Sequence, residues 1–191
     1  MAFIQRRLWR KFYVLFNVFE VTLRNAINEH YKSYFKDPDW IRTQLAPGGM
    51  LSQHPQKSIV EKTIVDLTAS GRYTNDRVVS SVTFGFWTYL FTKKPFRLGG
   101  QSLLRIFPQK ATGLGQRAIY NELMAIKNFR NRIAHHEPIC FDRNGCKSID
   151  PAQSNYNLII RYVNFLGYPE EHLYFGLDVL PDSVLERINQ L

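Results

Sequence analysis

No uninterrupted apolar stretch of about 18 residues occurs in this sequence, which leaves no candidate for a membrane-spanning helix. Met1 to Leu23 imitates a secretory signal, since Arg6, Arg7, Arg10 and Lys11 precede an apolar run. Asn17 and Glu20 interrupt that run, however, and no small-residue cleavage site follows. Cysteine is scarce. Cys140 and Cys146, separated by five residues in a loop-like stretch, suit reduced thiols in a cytoplasm and not a disulfide framework. Two thiolates are too few for a structural zinc, and adding His135 and His136 does not produce a zinc-knuckle spacing. There is no acidic cluster to hold magnesium, no repeat, no low-complexity tract and no linker. The expectation is a soluble cytoplasmic protein, one domain over residues 1–191, with no membrane association, metal or cofactor.

What the chain does hold is apolar and basic. Apolar residues make up 45% and aromatics 14%, enough for a well-cored globular protein and too much for a disordered one. Lys and Arg number 25 against 16 Asp and Glu, a net charge of +9 that favours polyanionic partners such as nucleic acid.

Helical periodicity runs through the chain. Over residues 8–36, Phe12, Phe16, Phe19, Leu23, Ile27 and Tyr34 recur at three- and four-residue steps and define one apolar face. Glu20 and Arg24 stand four apart at its edge, placed for an i,i+4 pair. His30 lies on the face itself and reads as a hydrogen-bonded core histidine. Asp37-Pro38 ends this helix, Leu45 to Pro55 is a loop, and Gln56 to Thr68 is a helix carried by Ile59, Val60, Ile64 and Leu67. Thr74 or Asn75 caps the next helix. Val78 to Phe91 has strand-like composition, but fourteen residues without a turn signal exceed a strand and predict one buried helix, ended by Lys93-Lys94-Pro95. Ser102 to Phe107 is a short helix. Gln116 to about His136 is the strongest amphipathic helix, with Ile119, Leu123, Ile126, Phe129 and Ile133 on its apolar side. Asn144-Gly145 centres a turn, and Pro151 to Leu166 and Pro181 to Leu191 complete an all-α chain: a single helical bundle with extra short helices.

The strongest helix ends in the densest chemistry of the chain, F-R-N-R-I-A-H-H-E-P from Phe129 to Pro138. At about 100° per residue, Arg130 falls in the middle of the apolar arc, between Ile126 and Ile133. A buried guanidinium needs an anion, either a carboxylate such as Glu20 or a phosphate entering a cleft. Asn131 and His135 share the adjacent face four residues apart, so the amide can hold the imidazole's orientation and tautomer, while His136 and Glu137 diverge from that face. A histidine titrating near neutrality can take the proton of an RNA 2′-hydroxyl or protonate the leaving 5′-oxygen. An arginine fork can stabilise the phosphorane-like transition state. Arg132 and Lys127 read as contacts to the RNA backbone. One chain offers half a site, and two copies meeting across a two-fold axis would supply base, acid and two arginines. A second account stands beside this one: Arg130 pairs with Glu20 and the histidines cap a helix C-terminus. Metal binding by His135, His136 and Glu137 fails because adjacent helical residues do not converge.

The order of motifs resembles a known family. E-V-T-L-R-N (Glu20–Asn25), Trp40, T-F-G-F-W-T-Y-L-F (Thr83–Phe91), I-F-P (Ile106–Pro108) and R-N-R-I-A-H-H-E-P (Arg130–Pro138) are together similar to the Abi-like branch of the HEPN superfamily. The superfamily's motif is an arginine, a four-residue gap and a histidine, and the likeness covers most of the chain. It implies a HEPN-like bundle that dimerises, and a metal-independent endoribonuclease acting in abortive infection or as the toxin of a toxin–antitoxin system, with RNA as substrate and an antitoxin protein as a partner. Matched by position, Arg130 and His135 would be catalytic, Asn131 would support them, and Glu20 and Arg24 would line the site. His136 also falls within the gap lengths that the superfamily tolerates. Arg24 to His30 echoes the motif, but His30 faces the core and is a decoy. The alternative, from another class, is a non-catalytic RNA-binding or protein-interaction module, as some HEPN domains are.

Overall fold

The structure, a computed structural model, describes residues 2–139, 141, 146 and 148–168, with residues 2–8, 10 and 11 described by their backbone alone. Cys140, the Asn144-Gly145 turn and the expected helix Pro181 to Leu191 lie outside the described residues. Among the described residues the chain is all-α, without a strand. Its helices are α1 (Ala2–Phe35), α2 (Trp40–Gln44), α3 (Lys57–Ala69), α4 (Asn75–Ser81), α5 (Phe84–Tyr89), α6 (Lys93–Leu98), a 3₁₀ turn (Leu103–Ile106), α7 (Gln116–Ala134) and α8 (Asp150–Phe165). They fall into two compact units. The first takes Met1–Thr22, Phe107–Lys110 and Glu122–Leu191; the second takes Leu23–Ile106 and Ala111–Asn121.

The first unit is built on aromatic packing. Phe12, Leu15, Phe16 and Phe19 of α1, Leu123, Ile126, Phe129 and Ile133 of α7, and Ile159, Tyr162 and Val163 of α8 are all buried. Burial of each such side chain is worth about 1.5–3 kcal/mol. The Phe12 ring meets Phe129 edge-on at 5.0 Å, and Tyr162 packs between Phe19 at 6.3 Å and Phe107 at 5.5 Å, geometries that suit the ring quadrupoles. The polar end of this core at Tyr162 is satisfied. Tyr162 donates its hydroxyl to Glu122 Oε2 at 2.6 Å, and Arg161 meets Glu122 Oε1 at 2.6 Å. Burial, then the neighbouring carboxylate, pushes the Tyr162 phenol well above its usual range, so it stays a donor.

The second unit packs the short helices around buried Tyr31, Trp40, Phe86, Trp87 and Phe91. Asn28 Oδ1 accepts from Trp40 Nε1 at 3.0 Å and from Asn75 Nδ2 at 3.1 Å, tying α1 to α2 and α4. Thr74, one of the two expected caps, accepts from the Arg77 backbone N–H at 3.2 Å. His30 is half-buried with Nε2 2.9 Å from Ser102 Oγ, so it is the hydrogen-bonded histidine that its position implied.

Three expectations are corrected in this unit. Val78 to Phe91 is not one helix. Val82 and Thr83 are extended, at ψ 150° and 164°, and divide α4 from α5. Thr83 turns its hydroxyl to the Gln56 side chain and gives its carbonyl to Phe86 N, so the chain restarts there as a new helix. Lys93-Lys94-Pro95 does not close a helix but opens α6, where a proline in the first turn loses no hydrogen bond. Tyr34 and Ile59 are 45% and 63% exposed, while Tyr31 is fully buried. Ile59 lies about 100° from its neighbour Val60 on the wheel and so leaves the core face. Tyr34 lies over Gly100.

Candidate functional site

The end of α7 sets the site. The helix stops at Ala134, and His136 takes the left-handed conformation at φ +56°. His136 N–H donates to Ile133 O at 3.0 Å and Glu137 N–H to Arg132 O at 2.8 Å. That pair of bonds is a Schellman motif with His136 in the position glycine ordinarily holds. Arg132 braces it from outside: its Nη2 donates to Pro138 O and its Nε lies 3.5 Å from Glu137 Oε2.

This turn carries His136 back over α1. Its ring stands 5.0 Å from the Trp9 ring at 52°, and the two belong to one pocket of about 480 Å³. The lining residues are Trp9, Tyr13, Phe16 and Asn17 from α1, and Arg130, Ile133, Ala134 and His136 from the end of α7. Phe16 and Ile133 are buried and form its floor, whereas Tyr13, Asn17, Arg130 and His136 are exposed at its rim. All eight belong to the first unit.

One sequence expectation changes here. Arg130 is not a buried core guanidinium but an exposed one, and among the described residues it makes no ion pair. Ile126 and Ile133 on either side are buried as expected, and a long side chain between them can keep its charged head in water. His136 shares the pocket with Arg130, and Asn131 and His135 do not line it. The wheel's 100° step fails past Ala134 because the backbone is no longer helical, and the left-handed residue returns the imidazole to the arginine's side.

The other candidates fall outside this pocket or at its margin. His135 is exposed and does not line it; its N–H completes the helix to Asn131 O at 2.9 Å, and no side-chain hydrogen bond joins it to Asn131, which is half-buried. Glu20 is half-buried and falls on the same face of α1 as Trp9 and Tyr13. Arg24 belongs to the second unit, is half-buried, and has a buried Nε without a hydrogen-bond partner among the described residues. Lys127 is half-buried, and Arg132 is held by Glu137 and Pro138. Cys146 is exposed, and no group of three potential metal-ligating side chains occurs among the described residues.

Trp9, Tyr13 and Asn17 are the lining residues that sequence reasoning passed over. Their four-residue spacing from Trp9 through Asn17 was visible, but it reads as the edge of an amphipathic helix until the end of α7 supplies the opposite wall. The assembled site is a ring-lined cleft with a guanidinium and an imidazole at its mouth, suited to a flat aromatic group that carries an anion. The chain matches no family model, no curated protein and no solved structure.

Proposed function

We propose that this protein is a metal-independent endoribonuclease of the HEPN type, from its Abi-like branch, that serves phage defence or acts as a toxin. The observation that carries the reading is the shared pocket of Arg130 and His136, a fixed cation and a titratable base beside aromatic rings. Arg130, free of ion pairs among the described residues, binds the scissile phosphate and stabilises the charge that develops in the transition state. The two histidines move the protons: one takes the 2′-hydroxyl proton, the nucleophilic oxygen attacks phosphorus to close a 2′,3′-cyclic phosphate, and the other protonates the departing 5′-oxygen. His136 acts from the pocket. His135, exposed beside it, faces outward to a second copy in a homodimer whose composite cleft pairs two half-sites.

Incubating purified protein with RNA in excess EDTA tests this. Wild type yields fragments ending in 2′,3′-cyclic phosphate, and Arg130→Ala, His135→Ala and His136→Ala each lower the rate by about 100-fold or more. RNA that stays intact yet bound would replace this reading with the binding module, which the ring-lined walls of the same pocket would also serve.

A further inference from the structure

We infer that the Trp9–His136 pocket holds one unstacked ribonucleotide, with the base among the rings of Trp9, Tyr13 and Phe16 and its phosphate on Arg130. The inference deepens the RNA reading and rests on it for the identity of the polymer. Three observations carry it. The pocket's volume of about 480 Å³ lies in the range, roughly 300–1,000 Å³, of sites that enclose a small ligand, and is far too small for a duplex. Its floor is apolar and its walls are rings, which bind any base by its face, whereas its charge is confined to one rim. That rim charge, Arg130, makes no ion pair among the described residues, in a protein of net charge +9.

Trp9 adds a fourth. Its indole Nε1 is buried with no hydrogen-bond partner among the described residues, so for packing alone a phenylalanine would serve better. Trp87 Nε1 is also buried without a partner among the described residues, but of the two indoles only Trp9 lines this cavity. It is also a selective reporter, because Trp40 and Trp87 are fully buried and Trp9 is not.

The experiment is a fluorescence titration of the intact protein with uridine and adenosine 3′-monophosphates in EDTA. Saturable change in tryptophan emission, with dissociation constants between the micromolar and low millimolar ranges, is expected. The corresponding nucleosides should bind about 10-fold more weakly, and Arg130→Ala should erase that difference. Trp9→Phe should remove the signal while unfolding no earlier than wild type, and Tyr13→Ala should weaken binding by about 10-fold. Emission that ignores nucleotides up to about 10 mM, or that still responds in Trp9→Phe, overturns the inference. The outcome is separable from catalysis: cleavage without nucleotide binding removes the base-holding role of the rings and keeps the enzyme, and binding without cleavage does the reverse.

Discussion

At residue scale the chain reveals most about itself through His136. Among the described residues five helix ends use the same pair of backbone bonds: α1 closes on Lys36 at φ +52°, α3 on Gly71 at φ +65°, α6 on Gly100 at φ +71°, α7 on His136 at φ +56° and α8 on Gly167 at φ +87°. Three of the five use glycine, for which the left-handed region is unstrained; a side chain there costs about 1 kcal/mol. Lys36, at the end of α1, shows that the chain tolerates the cost elsewhere, on an exposed residue. At His136 the strain aims a ring at Trp9. Replacing His136 with glycine should therefore leave stability within about 1 kcal/mol of wild type, because relief of strain offsets the lost ring contact. His136→Ala keeps the strain and loses the ring, and should unfold about 1 kcal/mol more easily than His136→Gly in urea. Neither should cleave RNA. An alanine variant as stable as the glycine one would remove strain from the account. None of this was legible in the decapeptide, since a helical wheel assumes the geometry that ends at Ala134.

At the scale of elements, the positions of α1, α3 and α7 followed from apolar periodicity, and those of the second unit's short helices did not. Val78 to Phe91 is apolar on nearly every side, so no period marks the break at Val82 and Thr83; the Gln56 side chain that receives Thr83 is far away in sequence. Gly99-Gly100 is similar, because what the two glycines do depends on α1. A methyl group at Gly99 would come within 2.5 Å of Tyr31 Oη and 3.0 Å of Met50 Sδ, and Tyr31 is fully buried and cannot yield. One at Gly100 would come nearer still to Tyr34, but Tyr34 is 45% exposed and can swing away. Gly99→Ala is thus expected to lose about 1–3 kcal/mol by overpacking, and Gly100→Ala about 1 kcal/mol from its φ of +71°. Thermal or urea unfolding that ranks the pair the other way round would contradict the packing described around Tyr31.

At the scale of the whole molecule, two histidines outside the site govern stability in acid. His54 is buried, with Nε2 3.3 Å from Phe86 O and Nδ1 accepting the Gln56 N–H at 3.0 Å. Burial lowers its pKa to about 4, and a proton on Nδ1 would also displace the Gln56 hydrogen bond. His30 is lowered as well, by burial and then by Arg105. Because the folded values lie below the unfolded one, the unfolded chain binds more protons between about pH 6.5 and 4. Stability is full above pH 6.5 and falls as the pH drops through that window, by on the order of 2–3 kcal/mol for His54. Urea midpoints from pH 7.5 to 4 should show this decline, flattened in His54→Gln; a wild-type midpoint constant over that range would refute it. Helical periodicity foretold the all-α class, yet not the pocket, which needs both a face of α1 and the end of α7. That division has a consequence in time. Trp9, Tyr13 and Asn17 leave the ribosome early, and Arg130 and His136 follow only after α2 to α6 and most of α7 have been made. A nascent or interrupted chain carries rings without the cation and imidazole, so the cell cannot meet a competent pocket before synthesis has passed position 136.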